Sequence, residues 1–234
     1  MVDKNVMGKP RIGLNSKSGL ILPDKQFMKP GELDCSIELI VREGVFNPAG
    51  KITNRIGPQR SESFTKQFLQ MLFVCFAYCP QAWPLASVKD TSNTDRSIYL
   101  LRTALATSGC EHFNVTAIAA DVTIGIIIGT GNTAPTITDY KIETIIPHAT
   151  MNYGALTFGA PAADATTSQL TITRNFANVS GGAVVVNEIA LYAKSEFGGG
   201  TAAYFCIIRD VIGGGVSVPN GQTLTVNYRP QAIV

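Results

Sequence analysis

Charge is scarce in this chain. Asp, Glu, Lys and Arg make up 15% of its 234 residues, against about 25% in a typical soluble domain. The formal net charge is only +2, too little for the basic stripe that grips a phosphate backbone, so no nucleic-acid partner is expected. The chain holds one tryptophan and two histidines. A lone Trp83 is a poor platform for stacking sugars. Five cysteines stand at positions 35, 75, 79, 110 and 206, and an odd, scattered count excludes a disulfide framework. Cys75, Cys79 and Cys206 sit in apolar runs that suit buried thiols in a chain made in a reducing compartment. Long apolar runs are missing as well. The most apolar stretch, Phe68 to Ala86, is broken by Gln70, Gln81 and two prolines, so no membrane span is expected. The first ten residues lack the apolar centre of a secretion signal.

Constellations that carry chemistry are also missing. Cys110-Glu-His112 offers ligands with no partners at a metal-binding spacing, and His148, after Pro147, reads as a surface residue. Cys75 and Cys79 lie one helical turn apart, which fits neither a redox pair nor a zinc knuckle. Gly129-Thr-Gly-Asn-Thr133 has the glycines of a phosphate loop, but no Gly-Lys-Ser/Thr follows and the next element reads as a strand. Asp121, Asp139, Glu143, Asp164, Glu188 and Asp210 are dispersed, with no spacing that faces two carboxylates for acid–base work. Asn114-Val-Thr and Asn178-Val-Ser match glycan-acceptor triplets, a match of little weight without a secretion signal. The expectation is no catalytic, cofactor-binding or metal site, and no enzyme.

What the chain does have is β pattern. Val122–Gly129, Ala183–Ala193, Ala202–Arg209 and Gln222–Tyr228 are β-branched or aromatic runs separated by Gly, Pro, Asn, Asp and Thr. Asn114–Ala120, Tyr140–Ile146, Tyr153–Phe158 and Gln169–Phe176 are read as further strands. Residues 97–234 are therefore expected to form an antiparallel β-sandwich or jelly roll of about ten strands. Gly198-Gly-Gly200 and Gly213-Gly-Gly215 read as turns, as does Val216-Ser-Val-Pro-Asn-Gly221.

Residues 31–96 hold a hairpin, a helix and a loop. Ile37, Leu39 and Val41 form one face of a strand, and Lys51–Ile56 returns beside it until Gly57-Pro58. Ser61 to Tyr78 reads as one amphipathic helix, capped by Ser61 or Ser63 and stopped by Pro80. Phe64, Phe68, Leu72 and Phe76 lie on its apolar stripe, which must pack on the sandwich or on another subunit. Residues 81–96 are read as a loop, and Ser97–Leu105 as a strand. Residues 1–30 have little periodicity and three prolines, and read as an extended arm. Such a segment gains order through contacts. A neighbouring subunit is its expected holder, with Ile21, Leu22 and Phe27 as the apolar groups it buries. The first 96 residues carry 13 basic and 9 acidic side chains and the remainder 6 and 8, a mild asymmetry that favours docking between copies.

Several stretches carry a resemblance. Ile124-Gly-Ile-Ile-Ile-Gly-Thr-Gly-Asn-Thr-Ala-Pro-Thr-Ile-Thr-Asp-Tyr140 and Asn187-Glu-Ile-Ala-Leu-Tyr-Ala-Lys194 resemble segments of virion structural proteins of tailed bacteriophages. Cys206–Val211 followed by Val216–Tyr228 is similar to their final two strands, and Ser61–Tyr78 to the helix that precedes their β part. These are scaffold motifs, and the first 45 residues add nothing to them. The resemblance implies a homo-oligomeric structural subunit of the tail, neck or capsid-associated layer, made in the host cytoplasm and contacting other virion structural proteins. The alternative it leaves is a host-receptor or carbohydrate-binding β module at the tail tip.

Overall fold

Strict alternation builds the first strand. In β1 (Leu33–Glu43), Cys35, Ile37, Leu39 and Val41 point to one side and are each at most 1% exposed. The computed structural model describes residues 33–61, 64–76, 86–98, 113–165, 167–197 and 201–233. Within them β1 and β2 (Ile52–Arg60) form the expected antiparallel hairpin. β2 runs past Gly57-Pro58 to Arg60 through a register shift. It is the edge strand of its sheet, so the missing proline donor interrupts no inner ladder.

The other strands are β3 (Ala86–Lys89), β4 (Asp95–Ile98), β5 (Gly125–Gly129), β6 (Met151–Tyr153), β7 (Thr157–Phe158), β8 (Ala162–Ala163), β9 (Thr167–Gln169), β10 (Ile172–Asn178), β11 (Val184–Phe197), β12 (Thr201–Val218) and β13 (Gln222–Ile233). One helix, α1, spans Lys66–Phe76. Among the described residues the fold is mainly antiparallel β with one short helix. The first sheet runs β2-β1-β13-β10-β6, with β7 beside β10, β9 beside β13 and β8 beside β9. The second runs β12-β11-β4-β3, with β5 along β11. The hairpin of segment 31–96 and the last strand of segment 97–234 share one sheet, because β1 pairs with β13 along its whole length.

Rows of inward residues cross the first sheet in register: Ile37, Tyr228 and Ile172; Leu39, Val226 and Arg174; Val41, Leu224 and Phe176. The turn at Pro219-Asn-Gly221 carries the chain from β12 in one sheet to β13 in the other. Side chains link the two. Tyr228 Oη donates to Asp210 on β12 at 2.7 Å, and Ser61 Oγ donates to the same carboxylate at 2.9 Å. Burial and the adjacent Asp210 carboxylate push the Tyr228 phenol well above its ordinary value.

Several elements depart from the sequence reading. Residues 86–98 form a tight hairpin rather than a loop. Asp90 Oδ1 accepts the Ser92 and Thr94 N–H groups and Oδ2 accepts Arg96 Nε, a local Asx turn that the hydrophobic pattern did not reveal. Ser61 is no helix cap: it ends the β2 segment on Asp210, and the first helical N–H, that of Lys66, donates to Ile137 O at 2.9 Å. The helix stripe is also turned by one position. Among its described side chains Gln67 and Met71 are the most buried, while Phe64, Phe68 and Leu72 are half-buried. Asn114–Ala120 and Tyr140–Ile146 are irregular, touching the ladders only through single bridges at Asn114 and Ile145. The triglycine at 213–215 lies inside β12 as a wide bulge, since Glu188 pairs with Val211 and Val186 with Val216. Gly215 has φ +65°, and a Cβ there would collide with the Asn187 amide. Tyr99–Leu105, the triglycine at 198–200 and the arm at 1–30 lie outside the described residues.

Candidate functional site

The bulge in β12 at Cys206–Ile208 seats the start of the helix. Thr65 N–H donates to Ile207 O at 3.1 Å and its hydroxyl to Cys206 O at 2.6 Å, and Phe64 bridges Ile208. This anchoring turns Phe64 and Phe68 toward a cavity of about 390 Å³, within the ~300–1,000 Å³ range of ligand clefts. Their ring centroids lie 4.2 Å apart, and Phe113 meets Phe68 edge-on at 5.7 Å. Phe113 is held by its N–H to Ser195 Oγ at 3.0 Å, and Asn114 exchanges backbone bonds with Lys194. Leu191, Ile207 and Ile208 of the second sheet and Phe158, Leu170, Ile172 and Pro230 of the first complete the wall with Val115. Among the described residues that line it, Asn114 and Thr116 are the polar ones, and none is an acid, base or thiol. Its described lining suits apolar groups.

Two of the sequence-derived interface residues, Phe64 and Phe68, line this cavity. Leu72 lies farther along the helix and does not. The side chain of Phe76, and Ile21, Leu22 and Phe27, lie outside the described residues, as do His112, Trp83, Cys79 and Cys110. Phe113, Phe158, Leu170 and Pro230 were missed, because they come from a loop and strand ends that no periodicity joins.

Two buried arginines organise the loops around the sheets. Arg174 is 0% exposed. Its guanidinium donates to the carbonyls of Gly154 (2.8 Å), Ile124 (3.0 Å), Ile126 (2.9 Å), Ile118 (3.1 Å) and Asp121 (2.6 Å). It also lies 4.9 Å from the Tyr153 ring centre. Burial brings its pKa down to about 10, so it remains charged at neutral pH. Its place on the inward face was legible, since Ile172-Thr-Arg-Asn-Phe176 alternates and puts Arg174 between two core positions.

Arg209 performs the matching task on the second sheet. It donates to buried Glu188 at 2.6 Å, to Asp139 at 2.5 Å and to Thr133 O at 3.1 Å. Both Glu188 oxygens accept the Glu143 N–H at 2.9 Å, and Tyr192 Oη accepts the Ile142 N–H at 2.7 Å. Loop 130–146 is thereby pinned over the sheet. The glycine-rich run beginning at Gly129 is spent on this staple: the Asn132 and Thr133 N–H groups donate to Glu143 Oε2 at 3.2 Å. A Cβ on Gly131 would stand 2.5 Å from Glu188 Oε2. The hollow beside Asp139, about 350 Å³, is lined by these groups. His148 is half-buried rather than superficial, and its Nδ1 accepts the Tyr153 N–H at 3.0 Å. Asn178 is fully buried, donating to Gly182 O and Val218 O, so its amide is unavailable to a glycan. Among the described residues no group of three or more His, Cys, Asp or Glu is placed to hold a metal ion.

The carboxylates imply an acid sensitivity. Burial opposes ionisation of Asp139, but the Thr136 N–H and hydroxyl and the Arg209 guanidinium outweigh it and hold the carboxyl below its ordinary value. Burial likewise opposes Glu38, where Arg229 and Arg55 prevail, and Asp90, where Ser92 and Arg96 prevail. A folded value below the unfolded one contributes stability that is complete above the unfolded values of about 4 and is lost as pH falls through the folded ones. The urea midpoint should therefore stay level from pH 7 to about 5 and drop steadily below about 4. A midpoint unchanged at pH 3 would contradict this.

The chain matches no family model, no curated protein and no solved structure.

Proposed function

We propose that this chain is a structural subunit of a tailed-phage particle, in its tail, neck or capsid-associated layer. In this reading the two sheets close as a jelly-roll-like sandwich. Copies join through the N-terminal arm and the face around α1, and the subunit works without a cofactor or catalytic site. The observation that carries the reading is the resemblance of Ile124–Tyr140, Asn187–Lys194 and Val216–Tyr228 to virion structural proteins. An apolar cavity whose described lining holds no titratable group, beside a helix whose Leu69 is 60% exposed, supports a role in contact over one in chemistry. The low charge fraction also suits a surface covered by neighbours.

Removal of residues 1–30 tests it. The full chain should sediment as a multimer and the truncated chain as a monomer with an unchanged far-ultraviolet circular dichroism spectrum. A truncated chain that assembles as well as the full one would remove the arm from the account. A full chain that stays monomeric and binds a glycan tightly would put the receptor-binding module in its place.

A further inference from the structure

A hollow of about 380 Å³ opens where β6, an edge strand of the first sheet, meets the loop at 118–121 and the turn that leaves β1. Phe46, Ala120, His148, Asn152 and Gly154 are among the residues that line it. Tertiary bonds impose its shape. The Phe46 N–H donates to Thr223 Oγ1 at 2.7 Å, and that hydroxyl donates in turn to Gly44 O at 2.8 Å. The Phe46 ring reaches Gly154, where a Cβ would stand 3.2 Å from it. The Ala120 N–H donates to Tyr153 O at 2.9 Å, and Arg174 holds the carbonyls of Ile118 and Asp121 on either side. Phe46 and Ala120 both lie in the left-handed region, at φ 49° and 68°, where a Cβ is crowded by the following carbonyl. Such conformations persist only where surrounding contacts impose them, and they concentrate at ligand sites.

The lining offers one exposed ring and two uncommitted polar side chains. Phe46 is 41% exposed. His148 accepts the Tyr153 N–H through Nδ1, so its neutral ring carries the proton on Nε2. Among the described residues nothing hydrogen-bonds to that Nε2 or to the Asn152 side-chain amide. The described lining includes no Asp, Glu, Lys or Arg. We propose that this hollow binds a neutral hexopyranose, its C–H face on the Phe46 ring and its hydroxyls on the Asn152 amide and the His148 Nε2–H. The amide donates and accepts and the imidazole N–H donates, which matches hydroxyls that do both. A purely apolar group would cover the two polar side chains and leave them without partners, and an ion would find no counter-charge. An aromatic ring with a few placed polar groups is the usual make-up of a small-molecule site. The hollow shares no residue with the cavity beside α1, and the proposal does not depend on the subunit reading.

Titration of the isotope-labelled full chain, followed by nuclear magnetic resonance, tests this. Glucose, galactose, mannose, N-acetylglucosamine and N-acetylgalactosamine are each added to high millimolar concentration. Saturable shifts at the amides of Ala120, Asn152 and Gly154 with at least one sugar are the expected result. Phe46→Asn removes the ring but keeps a residue type that tolerates the left-handed region. Asn152→Ala removes the amide and leaves the backbone pairing with Ala177 available. Each should weaken binding by about five- to tenfold, as the loss of one stacked ring or one hydrogen bond implies. Phe158→Ser, on the wall of the other cavity, should leave affinity unchanged. If Phe46→Asn loses the native circular dichroism spectrum, Asn152→Ala decides alone. Absence of saturable shifts at these amides with all five sugars would overturn the proposal and leave the subunit reading standing. Affinity that Asn152→Ala leaves intact, or that only Phe158→Ser abolishes, would overturn it too. Saturation of a multimeric chain with the expected losses would uphold both.

Discussion

Arg174→Met should destabilise the protein by about 4–5 kcal/mol, near the upper end for a single substitution. The argument starts from the acceptors. Five backbone carbonyls, at 118, 121, 124, 126 and 154, converge on one guanidinium. Methionine fills much of the volume but donates nothing. A buried acceptor left without a partner costs about 1–3 kcal/mol, and water reaching the outer carbonyls limits the sum. Domains of this kind have stabilities of about 5–15 kcal/mol, so the variant approaches its folding limit. Arg174→Lys keeps a charge but brings three donors instead of five, and should recover only part of the loss. Urea unfolding gives the magnitude. Amide exchange at residues 118–126 gives the location, since these carbonyls belong to the segment that Arg174 ties to the first sheet. A loss below about 1 kcal/mol would mean that the loop keeps its place through its apolar contacts alone.

Arg209→Met should cost about 3–5 kcal/mol, for a different reason: it leaves Glu188 buried without its counter-charge. Glu188 is 0% exposed, so its carboxylate must then pick up a proton or draw water in. The same substitution made together with Glu188→Gln removes the stranded charge, and the pair should cost less than the sum of the two singles. A double-mutant cycle measures that coupling directly. The amides of Ile142 and Glu143, held by Tyr192 and Glu188, should lose exchange protection in Arg209→Met. Helix α1 should also loosen at its start, because Lys66 N–H bonds to Ile137 of the same loop. Simple additivity of the singles would show that Arg209 and Glu188 act independently.

The two arginines explain where period-2 reading went astray. Tyr140–Ile146 alternates in sequence and buries Ile142 and Ile146, but the three residues between them, Glu143, Thr144 and Ile145, are all exposed. Its amides, however, go to Tyr192 Oη, to the Glu188 carboxylate and to Ile128 O rather than to a continuous ladder. Alternation in sequence suggests a strand, but tertiary partners decide both the burial and the backbone pairing. Asn114–Ala120 misleads in the same way, with Ala117 buried and the Ile118 carbonyl consumed by Arg174. The helix was legible in kind, but its most buried line was misplaced. A buried Gln67 carries no hydrophobic signal, and the aromatic residues beside it carry a strong one.

From the residues alone one can derive the β1–β2 hairpin, the inward faces of β10, β11 and β13, the short helix and the antiparallel class. Each follows from a local rule: side chains alternate along a strand, and glycine and proline mark where it ends. Tertiary structure alone decided that β1 lies between β2 and β13, that the last turn crosses from sheet to sheet, and that Phe64, Phe68, Phe113, Phe158 and Pro230 enclose one cavity. It also decided that Arg174 and Arg209 each hold a loop. These outcomes depend on partners far apart in the chain, as between Glu38 and Arg229, 191 positions apart. Buried Arg174 and Arg209 are each met by several such partners at once, and no local window of sequence contains them.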